Sequence, residues 1–163
     1  MSLATTLTVK EIQQAIVSHG AWKYRENIFV PNLSWGLLPY EADLVILNKR
    51  GYLTEIEIKR SWEDFMADFK KSHTHDAPQV YELYYCLPKA LVDKARAWYK
   101  EQGRGEGCDN GNFAVLSYDE NGNVTEERGF GWSHQPNRRK LFIEEQLQVA
   151  RLGCMRLWNV KKE

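Results

Sequence analysis

Leu53-Thr54-Glu55-Ile56-Glu57-Ile58-Lys59 is the stretch on which the reading of this chain turns. Alternate residues of a strand share a face, so Glu55, Glu57 and Lys59 point one way while Ile56 and Ile58 point into the opposite layer. Upstream, Ala42-Asp43-Leu44-Val45-Ile46-Leu47 is a second strand-like run, and the turn signal Asn48-Lys49-Arg50-Gly51 joins the two into an antiparallel hairpin. Asp43 interrupts an otherwise apolar strand, where an ionised carboxylate needs a cation, a proton or water. If pairing brings Asp43 to Glu57, two carboxylates about 4 Å apart repel by roughly 4 kcal/mol at an effective dielectric of 20. A bound cation relieves that repulsion. Carboxylate oxygens completed by waters and a substrate phosphate suit Mg²⁺ or Mn²⁺ and not zinc. The competing reading is a solvent-facing hairpin with a structural Glu-Lys pair.

On the N-terminal side, Thr8 with Glu11 is a capping box and Leu7 with Ile12 a staple, which starts a helix that ends near Gly20. Residues 22–30 read as a first strand and 31–40 as a loop. On the C-terminal side, Ser61 with Asp64 repeats the capping pattern, and Trp62, Phe65, Met66 and Phe69 form an apolar helical face. A strand at 81–87 follows, then an amphipathic helix carrying Leu91, Val92, Ala95, Trp98 and Tyr99 that stops by Gly103. Residues 103–111, with four glycines, are a flexible loop. Residues 113–119 form another strand, turned back by Asn121-Gly122 as a type I′ hairpin. Asn137 is read as the cap of a long terminal helix with Leu141, Leu147, Ala150 and Cys154 on its apolar face.

The chain has 163 residues, enough for one packed core, and is expected to be a single domain over 1–163. Lysine plus arginine number 22, as do aspartate plus glutamate, so any surface for a polyanion must be local. Three widely spaced cysteines, no signal peptide and no apolar run of membrane-spanning length suggest a cytoplasmic, reducing setting with no membrane association.

Asp43 followed by Glu57-Ile58-Lys59 resembles the PD-(D/E)XK nuclease superfamily, although Asp43 follows Glu41-Ala42 and not a proline. The run from Lys59 through Ser61, Asp64 and Phe65 to Lys71, and then Tyr84-Tyr85-Cys86-Leu87-Pro88, is similar to MmcB-type proteins, a branch associated with DNA repair. Lys70-Lys71 stands where those proteins carry a Lys-Trp pair. The resemblance implies an α/β fold with a restriction endonuclease-like core, a central mixed sheet flanked by helices in the order α-β-β-β-α-β, extended by a strand hairpin and a C-terminal helix. It implies a nuclease that hydrolyses DNA phosphodiester bonds with Mg²⁺ or Mn²⁺. Asp43, Glu57 and the Ile58 carbonyl would then be metal ligands, and Lys59 the residue that orients water and neutralises the scissile phosphate. The rival reading is a non-catalytic DNA-binding or repair-scaffold module that keeps the fold; a third is a binding domain whose Glu-Lys pair is structural.

An additional upstream carboxylate is common in the superfamily, and Glu26 is favoured over Glu11 because the capping box already accounts for Glu11. Glu41 and Glu55 are expected to be solvated, with Glu55 at the rim. Capping accounts for Asp64, and Asp68 is expected to pair with a nearby lysine. Lys70, Lys71, His73 and His75 form a basic segment suited to phosphate, and His73 and His75 with Asp76 are also conceivable zinc ligands. Arg138-Arg139-Lys140, read as opening the last helix against its dipole, hint at an anionic partner. Trp35 and Trp132, in loops, are candidates for stacking on an unpaired base. Dimerisation is left open.

Overall fold

Local signals set most of the boundaries. The computed structural model describes residues 6–34, 36–71, 75, 77–103 and 113–162. Helix α1 (Val9–His19) starts at the expected box: Thr8 Oγ1 accepts from Glu11 N–H at 3.2 Å and Glu11 accepts from Thr8 N–H at 2.7 Å. It ends at Gly20, whose φ of 83° is open to glycine at no steric cost. Strands β1 (Ile28–Leu33), β2 (Ala42–Leu47) and β3 (Leu53–Ile58) follow as an antiparallel meander. Helix α2 (Trp62–Asp68) crosses to β4 (Val80–Pro88), parallel to β3, and α3 (Val92–Glu101) crosses to β5 (Ala114–Tyr118), parallel to β4. Strand β6 (Val124–Glu127) turns back against β5, and α4 (Ile143–Lys162) closes the chain. The six strands lie in sequence order in one mixed sheet.

Three boundaries differ from expectation. The first strand begins at Ile28, not at 22, because Lys23 O accepts from both Glu26 N–H and the Asn27 side chain and closes a turn there. It continues through Pro31, which an edge strand tolerates because one flank needs no N–H donor. The 118–124 turn is not type I′: Gly122 has a φ of 77° whereas Asn121 is not left-handed, and Asp119 O accepts from Gly122 N–H. Asn137 has a left-handed φ of 56° six residues before α4 and is not its cap. The helix start is closed instead by Glu145, which accepts from Phe142 N–H at 2.8 Å. The buried side of α4 includes Val149, with Gly153 fitting close to Val30; Leu147 and Cys154, expected on the apolar face, are exposed.

Residue parity separates the two faces of the sheet. Leu44, Ile46, Ile56, Ile58, Tyr84 and Cys86 pack with Ile12 and Ile16 of α1. The opposite face carries two apolar clusters, one around Val45, Leu53 and Val149, the other around Phe65, Tyr85, Ala95 and Phe113. Glu55, Glu57 and Lys59 have the parity of this second face, between those clusters, and all three are buried. No helix among the described residues is long and apolar enough to cross a membrane.

Candidate metal centre

The β2–β3 hairpin fixes the geometry. Its turn is built by Asn48, whose Oδ1 accepts from Arg50 N–H and Tyr52 N–H, and by Gly51 at a φ of 86°. Val45 pairs with Glu55, so two residues further along the antiparallel register Asp43 faces Glu57. Gln13 of α1 holds this end of β2 by donating to Asp43 O at 2.7 Å and to Asn32 Oδ1 at 2.9 Å. Asp43 Oδ2 accepts from Ile58 N–H at 2.8 Å, and the hairpin register sets its carboxyl opposite Glu57. The group of Ile58 that meets Asp43 is thus its N–H, not the carbonyl expected as a ligand.

Lys59 follows directly after β3. Its backbone is anchored on both sides, Lys59 N–H donating to Cys86 O and Lys59 O accepting from the Tyr118 hydroxyl. Its ammonium is 2.7 Å from Asp68 Oδ2 and 3.4 Å from Glu57 Oε2. Burial disfavours the charged form, but Glu57 and the hydrogen bond to Asp68 outweigh it and hold the Lys59 pKa above the usual lysine range.

Four residues belong to this group in ways the sequence reading missed. Glu55 is 0 % exposed and not solvated: its Oε2 accepts from the Tyr40 hydroxyl at 2.7 Å and its Oε1 lies 2.5 Å from His75 Nδ1. The other ring nitrogen, Nε2, is 3.1 Å from Asp68 Oδ2. Asp68 is buried and joins Lys59 and His75 as well as Lys71, the nearby lysine expected to pair with it. One signal for it was present: Asp68 falls three residues after Phe65, on the stripe that faces the sheet. Burial opposes the charged imidazole, but the hydrogen bonds to Asp68 and Glu55 prevail and raise the His75 pKa to about 10. Burial likewise opposes the Asp68 charge, and His75 with Lys59 more than offsets it, holding that carboxyl well below its usual range.

Asp43 and Glu57 behave in the opposite way. Burial raises both, and Glu57 is pushed up to about 8 by burial first and then by Glu55 and Asp43. With every carboxyl ionised, Asp43, Glu55, Glu57 and Asp68 face Lys59, protonated His75 and, at the exposed edge, Lys71, an excess of one negative charge. Glu57 Oε1 is buried and accepts no hydrogen bond among the described residues. An acceptor left so is costly, and together with the charge excess it fits a divalent cation beside Glu57.

The other expected site residues are scattered. Glu26 sits in the turn before β1, near half exposed, paired with Lys23 and Lys49 at 3.7 Å each. It lies at the hairpin-turn end of the sheet, past Leu47 and roughly 13 Å or more along the strand from Asp43, and takes no part in the centre. Lys70 and Lys71 are exposed at the end of α2, and Lys71 pairs with Asp68. His73, Asp76, Trp35 and Cys108 lie outside the described residues. Arg138, Arg139 and Lys140 precede α4 and do not open it, because the helix begins at Ile143. Arg139 makes a two-pronged ion pair with Glu145 at 2.7 Å, which removes the electrostatic misfit read from the sequence. Trp132 is exposed.

No protein-family model matches the chain, and no curated protein matches it. Among solved structures it is similar to SPO1766, a protein of unknown function from Silicibacter pomeroyi, with a TM-score of 0.61 over 96 % of this chain and 91 % of that one. Their sequences are 12 % identical, so the likeness is one of fold.

Proposed function

We propose that this protein is a metal-dependent phosphodiesterase that acts on DNA, built on a restriction endonuclease-like core. The observation that carries the reading is the buried Glu57 carboxyl, opposite Asp43 in the hairpin register: its Oε1 accepts no hydrogen bond among the described residues, and its Oε2 lies 3.4 Å from the Lys59 ammonium. Asp43 and Glu57 would hold Mg²⁺ or Mn²⁺ through oxygen, the donor type those ions prefer. Such an ion supplies a water of lowered pKa and charge stabilisation at the phosphate oxygens. Lys59 brings a fixed positive charge to the same place, and Asp68 with Glu57 sets its direction. Lys70 and Lys71, one helix end away, offer the phosphate backbone an exposed pair of charges.

The test is Mn²⁺-dependent cleavage of single-stranded, duplex and branched DNA by wild type, Asp43→Ala and Lys59→Ala. Asp43→Ala should lose Mn²⁺-dependent cleavage while keeping its fold. Lys59→Ala should keep Mn²⁺ and DNA binding and lose roughly two or more orders of magnitude in cleavage, and Lys59→Arg should rescue it poorly. Equal cleavage by Lys59→Ala and wild type would remove Lys59 from the mechanism.

A second reading, a non-catalytic DNA-binding or scaffold module, is favoured by one feature: Lys59 is 5 % exposed and tied to Asp68. Absence of cleavage on all three substrates, with DNA binding retained, selects it.

A further inference from the structure

We infer that Glu55, Glu57 and His75 form a binding site for a divalent transition-metal ion, distinct in its donors from the Asp43–Glu57 pair and sharing Glu57 with it. A carboxylate oxygen from Glu55, one from Glu57 and a ring nitrogen of His75 lie within 4.8 Å of one another, and all three residues are more than nine-tenths buried. Donors about 2.0–2.2 Å from one ion lie at most about 4.4 Å apart, so the widest separation here closes slightly while the 2.5 Å contact of His75 Nδ1 with Glu55 Oε1 opens to admit the ion. Glu57 Oε1, buried and accepting no hydrogen bond among the described residues, is free to take an ion.

The remaining atoms of each ligand are already held. Tyr40 donates to Glu55 Oε2 at 2.7 Å, Lys59 sits 3.4 Å from Glu57 Oε2, and Asp68 lies 3.1 Å from His75 Nε2. A carboxylate behind a ligating histidine fixes the tautomer and ring direction, the usual outer support of an imidazole–metal bond. Here Asp68 would keep the proton on Nε2, leaving Nδ1 to the ion in place of its 2.5 Å contact with Glu55 Oε1. The proton now on Nδ1 leaves to solvent as the ion enters. One imidazole and two carboxylates select Zn²⁺, Co²⁺ or Mn²⁺ over Mg²⁺, which keeps to oxygen.

This site rests on Glu57, which the phosphodiesterase reading also uses, so the test separates them. Mn²⁺ is added to the full chain and the nitrogen hyperfine coupling of the bound ion is read by pulsed electron paramagnetic resonance. Wild type and Asp43→Ala should both show imidazole coupling, and His75→Gln should not. If His75→Gln does not fold, the three other histidines, His19, His73 and His134, are replaced by glutamine; this sole-histidine chain should keep the coupling. No nitrogen coupling in wild type, coupling retained in His75→Gln, or coupling lost in the sole-histidine chain each overturns the inference. DNA cleavage without nitrogen coupling leaves the phosphodiesterase reading standing alone; nitrogen coupling without cleavage leaves the metal site standing alone.

Discussion

Asp68→Asn is the substitution that probes the centre most directly, because it keeps the side-chain shape and removes the charge that joins α2 to β3 and His75. In the wild type, Asp68 Oδ2 is 2.7 Å from Lys59 Nζ and 3.1 Å from His75 Nε2, with all three side chains under a tenth exposed. At an effective dielectric of 20 the Lys59 contact alone is worth roughly 6 kcal/mol of Coulomb attraction, most of it cancelled by desolvation. Without that charge Lys59 keeps only Glu57 at 3.4 Å and His75 only Glu55, and breaking a buried pair in this way costs about 3–5 kcal/mol. Lys71, 62 % exposed, adds little. For a domain of this size the loss lowers the melting temperature by roughly 6–20 °C. The pH window follows from the two shifts. Asp68 is depressed, so its contribution is present above its ordinary 3.8 and is lost as pH falls. His75 is raised to about 10, so its contribution is full below its ordinary 6.5 and is lost as pH rises through 10. The deficit of the variant should therefore be widest between about pH 4 and 6.5 and narrow on both sides. Urea unfolding of both proteins across that range measures it. A deficit below about 1 kcal/mol at pH 6 would refute the claim that Asp68 neutralises Lys59 and His75.

Glu57 carries a separate pH prediction. Its folded pKa of about 8 lies above the ordinary 4.5, so between those values the unfolded chain gives up a proton that the fold retains. Its contribution to stability therefore falls as pH rises through that window, by up to roughly 1.4 kcal/mol per pH unit at its steepest, and levels off above pH 8. Glu57→Gln should gain on wild type as pH rises from 5 to 8 without added metal; melting curves with a constant difference over that range would contradict this. Gly51→Ala should lose roughly 1–2 kcal/mol for its left-handed φ of 86°. A methyl group there also lies 2.6 Å from Lys140 Cε and 2.7 Å from Gln146 Nε2, so chemical denaturation should show at least that loss.

Much of the frame was legible locally. The box at Thr8 and Glu11, the Ser61 cap that accepts from Asp64 N–H, and the alternation in 42–47 and 53–58 depend on residues within a few positions of one another, and the structure keeps them. Boundaries failed where one local signal prevailed over another: Asn137 looks like a cap, but the carboxylate of Glu145, paired with Arg139 and accepting from Phe142 N–H, sets the start of α4 six residues later. Glu26 looks like part of a strand, yet the turn closed by its N–H on Lys23 O keeps it out of β1.

By itself, then, the sequence determined the hairpin that sets Asp43 against Glu57 and sends Lys59 to the same side, because strand parity is a property of the backbone repeat. Only the tertiary structure decided what surrounds them. The crossover from β3 through α2 to β4 folds Asp68 and His75 back over Glu55 and Glu57, and the segment before β2 brings Tyr40 to the same place. Those contacts join residues up to 20 positions apart with no periodicity to announce them. Their charges cancel only in three dimensions, where burial removes water and each ionised group must find its partner in another element.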